Sequence, residues 1–204
     1  MSEIDLWAIE KEYPDIRLIC GVDEAGRGPL AGPVCAAAVI LPKNLEIPGL
    51  NDSKKLSDKR RRELFPLIQE QALAYGIAFA DQEEIDELNI LQATFLAMGR
   101  ALEQLEPKAE FALIDGNRQT DFGIPCRTVV QGDSLSANIA AASVLAKVTR
   151  DDYMIKMAEV YPGYGFEIHK GYGTKAHYAA LRELGPCPIH RKTFLKKFYG
   201  ESAG

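Results

Sequence analysis

Four acidic residues, far apart in the chain, stand where apolar runs end or a long helix begins. Asp23 and Glu24 follow the run Ile16–Val22, Asp115 follows Phe111–Ile114, and Asp133 precedes an alanine-rich stretch. Carboxylates at the end of a buried strand are costly unless something pairs with them, and a divalent cation is the usual partner. Four of them with no histidine among them suit hard cations such as Mg²⁺ or Mn²⁺. Packed together, such acids repel and raise one another's pKa. A pair of divalent ions about 3.5–4 Å apart removes that strain, activates a water and stabilises the leaving oxygen in phosphodiester hydrolysis. No Ser-His-Asp or Cys-His arrangement competes with this set.

The first pair of acids leads into Ala25-Gly26-Arg27-Gly28-Pro29, followed by a second apolar run, Val34–Leu41. Gly26 and Gly28 permit positive φ and let another backbone come close. Arg27 between them can aim a planar donor fork at phosphate. Three readings of this stretch compete: a tight hairpin with solvated acids, a dinucleotide-binding loop, and a metal-assisted phosphate-cleaving site. The dinucleotide fingerprint fails in detail, because Gly32 comes one residue late and Pro33 and a β-rich run follow it. The third reading needs carboxylates from elsewhere, which Asp115 and Asp133 supply.

These side chains meet only if the elements bring them together. Periodicity predicts strands at Ile16–Asp23, Val34–Leu41, Gly76–Ala80, Phe111–Ile114 and Arg127–Val130. It predicts a helix from Asp58 to Ala74, capped by Ser57 and kinked or broken at Pro66. An acid-rich turn at Asp81–Glu87 complements a helix dipole, and a helix follows from Ile90 to Leu105. A long helix over Leu135–Val160, a glycine- and aromatic-rich loop over Pro162–Gly173, a Thr174-capped helix to Leu184 and a basic terminal turn or helix over His190–Phe198 complete the chain. If the first and fourth strands are parallel neighbours, Asp23 faces Asp115 at the end where ligands of open α/β sheets gather. Asp133, as helix N-cap, as ligand or as both, completes a ring. Strand alternation turns Glu24 away from Asp23, and the glycine turn is expected to rotate it inward.

A chain of 204 residues is one large domain or a domain with an appendage. The N-terminal stretch Met1–Arg17 is acidic and lacks an apolar core, so it does not read as a signal peptide. The longest uncharged run, Gly28–Pro42, is broken by glycine and proline and is too short to span a bilayer. The expected location is the cytoplasm, with no membrane contact. Four scattered cysteines, without C-x-x-C spacing, read as small buried hydrophobes. The net charge of −5 is unevenly spread: residues 1–146 carry −9 and residues 147–204 carry +4, so the tail is the natural candidate for touching a polyanion.

D-E-A-G-R-G-P-L-A-G-P-V at 23–34 resembles the signature of type 2 ribonuclease H, the bacterial ribonuclease HII family. D-S-K-K-L-S at 52–57, I-D-G at 114–116, G-D-S at 132–134, A-A-S-V-L-A-K-V-T-R-D at 141–151 and H-K-G-Y-G-T at 169–174 match in the same order. The resemblance covers about residues 16–184. It implies an α/β fold: a ribonuclease H-like mixed five-stranded sheet flanked by helices, with residues 1–160 catalytic and a C-terminal helical extension, 161–204, that helps bind substrate. The implied activity is endonucleolytic hydrolysis of RNA in RNA–DNA hybrids, and incision at ribonucleotides embedded in duplex DNA. A divalent-metal-activated water would leave 3′-hydroxyl and 5′-phosphate ends, with Mn²⁺ or Mg²⁺ as cofactor. Position by position, Asp23, Glu24, Asp115 and Asp133 would be the metal-binding carboxylates. Gly26, Arg27 and Gly28 would detect the ribose 2′-hydroxyl, and Tyr172 would stack on the following sugar. Lys54, Lys147, Arg150 and Lys170 become candidates for phosphate contact. His169, His177 and His190 receive no role beyond a solvated or structural one. A monomer is expected, and a replication-clamp contact is not legible in the residues. Two rivals remain: a junction-resolving or integrase-like nuclease of the same architecture, and a nucleic-acid-binding protein whose acids are structural.

Overall fold

The computed structural model describes residues 5–51 and 56–201. Five strands form one mixed sheet: β1 (Ile19–Ala25), β2 (Val34–Ile40), β3 (Ala74–Ala80), β4 (Phe111–Asp115) and β5 (Cys126–Val129). Their spatial order is β3-β2-β1-β4-β5. The first three form an antiparallel meander, while β4 runs parallel to β1 and β5 parallel to β4. The direction of pairing therefore changes at β1. The expected parallel pairing of the first and fourth strands is present, with Val22 opposite Ile114.

Among the described residues there are seven α-helices: α1 (Asp58–Gln71), α2 (Gln82–Leu88), α3 (Ile90–Glu103), α4 (Ala137–Val160), α5 (Phe166–His169), α6 (Lys175–Leu184) and α7 (Lys196–Glu201). Strand alternation sorts the core. In β2, Val34, Ala36, Ala38 and Ile40 face a cluster that holds Met98 and Leu102 of α3. Cys35, Ala37 and Val39 face the opposite cluster, built from Leu64 and Ile68 of α1 and the alanines of α4. With both faces covered, the central strands read as continuous apolar runs. The alanine-rich half of α4 lies so close to β1 that a Cβ on Gly21 would sit 2.1 Å from the backbone of Asn138 and Ile139.

Local chemistry moves several predicted boundaries. Ser57 caps α1 by accepting from the Arg60 N–H at 3.2 Å. Pro66 does not break it: it lies inside the helix on an exposed position, where the carbonyl it leaves unpaired can reach water. The helix stops at Gln71, because Leu73 already donates its N–H to Ile40 and Ala74 opens β3. Asp81 and Glu84 form a reciprocal capping box that starts α2. Asn89, at φ 72°, ends α2, and its side chain caps α3. The long helix α4 begins at Ala137, and its N-cap is Ser136, so Asp133 is not the cap. Asp133 sits instead in a 3₁₀ turn, Gly132–Ser134, one step earlier.

Beyond the sheet, the far half of α4 and the elements α5 and α6 enclose a second small core of Met154, Tyr164, Phe166, Leu181, Ile189 and Leu195. Leu30 and Ala31, from the loop between β1 and β2, are buried in it too. All four cysteines are free thiols, two of them fully buried. Among the described residues, no helix is long and apolar enough to cross a membrane.

Candidate active site

The register of β1 and β4 places Asp23 and Asp115 side by side. Val22 pairs with Ile114, so the next residue on each strand is an aspartate on the same pleat face. Two glycines fix the end of β4. Gly116, at φ +114°, donates its N–H to the Val129 carbonyl at 3.0 Å. Gly132 donates its N–H to Asp115 Oδ1 at 2.7 Å. Any side chain at Gly132 would meet Ile139 at 2.5 Å, so a glycine is what lets the 3₁₀ turn come this near. Asp133 follows directly and is 2% exposed. Asp23 and Asp115 thus lie side by side, and the buried turn that carries Asp133 is hydrogen-bonded to Asp115 through Gly132.

Asp23 is 3% exposed. Burial, and then the neighbouring charges of Glu24 and Asp115, push its carboxyl well above the usual carboxylate range. Two donors act against that push: the Glu24 N–H, 2.7 Å from Oδ1, and the Ser143 hydroxyl on α4. Ser143 lies in a motif the sequence singled out, yet it was given no role there. A serine inside an alanine run facing a strand-end acid is the signal that could have found it.

Glu24 departs from expectation. β1 continues through Ala25, so Glu24 keeps its strand geometry, pairs with Ala36 and stays on the α3 side instead of rotating inward. It lines a groove with Thr94 and Phe95 of α3, Asp115, Asn117 and Arg118, and its Oε1 lies 3.3 Å from Arg27 Nη1. Among the described residues, no three His, Cys, Asp or Glu side chains are arranged to clasp one ion. The rotamers explain why: Asp115 is turned onto the Gly132 amide, Glu24 onto Arg27 and Asp23 onto its neighbour's amide. The expected closed ring is therefore an open acidic rim. Its chemistry still suits a hard cation: the donors are all carboxylate oxygens, and the buried central acid is held next to two others with no basic side chain bonded to it.

Beside this rim runs the loop 26–33. Gly26 has φ +97°, and a Cβ there would lie 1.8 Å from Arg150 Nε, so only glycine fits. Gly28 is exposed, and a Cβ on it would lie 3.8 Å from the Tyr172 ring. Tyr172 itself is 42% exposed, with the Lys147 ammonium 5.9 Å from its centroid. The Lys147 ammonium also pairs with Asp151 at 2.7 Å. Lys170, at φ 52°, folds its ammonium back onto the Glu167 carbonyl. Lys54 lies outside the described residues.

Arg150 is a correction. It is fully buried, and its guanidinium donates to the carbonyls of Pro33 at 2.9 Å, Lys170 at 3.1 Å and Ala31 at 3.2 Å. A guanidinium held this way inside the molecule cannot reach a phosphate. Arg191, in the terminal stretch that the motifs left undiagnosed, was missed altogether. It is equally buried and donates to the carbonyls of Gly32, Arg27 and Gly26. The three histidines are also buried, which removes the solvated alternative and leaves the structural one.

A sequence model of the family described as Ribonuclease HII matches residues 20–197. The chain is 58% identical over 178 residues to the ribonuclease HII of Syntrophotalea carbinolica, covering 87% of this chain and 85% of that one. Its fold superposes on the ribonuclease H2 of Pyrococcus horikoshii OT3 with a TM-score of 0.74 at 27% identity, over 90% of this chain and 98% of that one. It also superposes on an RNase HII of Archaeoglobus fulgidus solved as a PCNA complex, with a TM-score of 0.72 at 25% identity, over 86% and 94% of the two chains.

Proposed function

This chain belongs to the ribonuclease HII family, and from that premise we propose that it is a metal-dependent endoribonuclease that hydrolyses the RNA strand of RNA–DNA hybrids and incises at ribonucleotides embedded in duplex DNA. The observation that carries the reading is the buried Asp23, aligned with Asp115 where the sheet changes direction and followed by Glu24, which pairs with Arg27. Asp23, Glu24, Asp115 and Asp133 are the residues that hold the divalent cations, Mn²⁺ or Mg²⁺. Bound cations would supply a water of lowered pKa and neutralise charge on the leaving oxygen.

The protein's own groups do the selecting. The 2′-hydroxyl is what separates RNA from DNA at a site, and the loop Gly26–Gly28, through the exposed backbone of Arg27 and Gly28, is the surface that reads it. Tyr172, next to Gly28, offers a flat face to the neighbouring sugar. Arg27, Lys147 and Lys170 are the candidates for contact with backbone phosphates, and residues 161–204 act as the substrate-binding extension of a catalytic unit formed by 1–160. Water is the nucleophile, so the 2′-hydroxyl serves as a recognition handle and the products carry 3′-hydroxyl and 5′-phosphate ends. The protein works as a cytoplasmic monomer, and a sliding clamp is the partner that the Archaeoglobus complex suggests.

The test uses a DNA duplex with one ribonucleotide against the same all-DNA duplex. Cutting of the first alone, abolished by EDTA and restored by Mn²⁺, is the expected result. Equal cutting of both would favour a junction-resolving nuclease.

A further inference from the structure

We propose that Arg191 is a positioning residue for ribose recognition: with its side chain buried behind the loop, it turns the carbonyls of Gly26 and Arg27 inward and so aims the N–H groups of Arg27 and Gly28 at the substrate. The inference rests on the reading of this loop as the ribose sensor. Arg191 Nη2 lies 2.6 Å from the Gly26 carbonyl and Nη1 lies 2.9 Å from the Arg27 carbonyl. A trans peptide holds its C=O and N–H in opposite directions. Fixing these two carbonyls therefore fixes the N–H of Arg27 and of Gly28 pointing away from the guanidinium. Both residues are exposed, and among the described residues neither N–H has a partner.

The rest of the loop is tied down from the same side. Arg191 Nε donates to Gly32 at 2.9 Å, and its own backbone N–H donates to Leu30 at 2.9 Å. Gly32 donates its N–H to Ile189 at 2.8 Å, and Ala31 bridges to His190. Arg150 takes the carbonyls of Ala31 and Pro33. Arg191 is held in its turn: Asp86, at the end of α2, accepts the N–H groups of Lys192 at 2.8 Å and Thr193 at 2.9 Å. Among the described residues, neither buried arginine forms a side-chain ion pair. Two cationic charges thus lie behind two outward amides, an arrangement that strengthens them as donors to an electron-rich oxygen. A planar fork is needed to engage two adjacent carbonyls at once, and a lysine ammonium cannot reproduce it.

The experiment measures Kd in Ca²⁺ for a duplex with one ribonucleotide and for the same all-DNA duplex. Arg191→Lys should lower the ribonucleotide preference about tenfold while the all-DNA Kd stays within about twofold. Asp86→Ala, which loosens the anchor of Arg191 from outside the loop, should lower the preference by about threefold and decides the matter if Arg191→Lys does not fold. A folded Arg191→Lys that keeps the wild-type preference overturns the inference. So does an unchanged preference in Asp86→Ala where that variant decides, or an equal weakening toward both duplexes. A wild-type protein that binds both duplexes alike would remove the reading of this loop as the ribose sensor and this inference with it, while the cleavage test above decides the activity separately. A wild-type preference that survives in the variants would remove the inference alone.

Discussion

The acidic rim and the arginine-braced loop lie side by side, and each gathers like charge where water is scarce. They resolve that strain in opposite ways. Each arginine is surrounded by carbonyls: Arg150 and Arg191 each donate to three of them, so the charge is dispersed over dipoles and the side chain is fixed. Asp23 has an amide and a hydroxyl as donors but two carboxylates as neighbours, and its charged form remains disfavoured. A saturated charge is a scaffold. An unsaturated one awaits a ligand of opposite sign. On the proposed reading the two regions must touch, because the loop would choose the phosphodiester presented to the acids.

The sharpest way to break this contrast is Asp23→Asn. The amide keeps the shape and removes the charge, so the Glu24 and Asp115 carboxylates lose a repelling neighbour. Cleavage in Mn²⁺ should fall by ~10³ or more, while the melting temperature in EDTA should rise by about 2–5 °C. A scaffold residue would give the reverse, lower stability with proportionate loss of activity, and a melting temperature that falls in EDTA would place Asp23 in that class.

Gly26→Ala probes the loop side. Its φ of +97° is unfavourable for alanine, and the new methyl would collide with Arg150 at 1.8 Å, so either the loop or the brace must shift. Cleavage at a single ribonucleotide should drop about a hundredfold, with Mn²⁺ affinity by calorimetry unchanged. A matching loss of ion affinity would mean that the loop and the acids are one unit.

How much of this contrast was legible beforehand depended on which interactions are local. Asp23, Asp115 and their parallel strands could be read from apolar runs that each end in an acid, because strand alternation and strand ends are short-range properties. The capping box at Asp81 and the Ser57 cap follow from the same local rules. Arg150 could not be read. A basic residue on a helix carries no mark of whether its guanidinium reaches solvent or crosses more than a hundred residues of sequence to meet the Pro33 carbonyl. Arg191 and the histidines belong to the same class, since most of their partners are backbone carbonyls and amides, which leave no pattern in the sequence, and His177 meets His190 only through the fold. Asp133 was read as a helix cap or a ligand, and the 3₁₀ turn that sets it apart from α4 depends on Gly132 approaching Asp115, again a long-range contact.

The smallest expected effect concerns the histidines behind Tyr172, which show how the cationic side of the contrast confines its charge to the arginines. His190 Nδ1 accepts the Cys187 N–H at 2.9 Å, so its proton sits on Nε2 and points at His177 Nε2, 3.0 Å away. His177 then carries its own proton on Nδ1 and donates to the Tyr172 carbonyl at 3.0 Å. His169 accepts the Gly171 N–H on Nδ1 and donates from Nε2 to Tyr164. His177 and His190 are thus each used as donor and acceptor, and a further proton on either would leave two N–H groups facing each other. Burial first, and then the neighbouring imidazoles, push His177 and His190 down to about 4. Their folded values lie below the unfolded value near 6.5, so their contribution to stability is complete above about pH 6.5 and is lost as the pH falls toward 4. Between pH 7 and pH 5 the melting temperature of the wild type should fall by about 3–6 °C, and hydrogen exchange should quicken at 164–190 before it does in β1. His177→Gln with His190→Gln should flatten that dependence. Buried Asp23 and Glu10, whose carboxyls are pushed up by burial, act in the opposite sense, so the double variant is the reference. A wild-type dependence no steeper than that of the double variant would remove the separation of charged arginines from neutral His177 and His190.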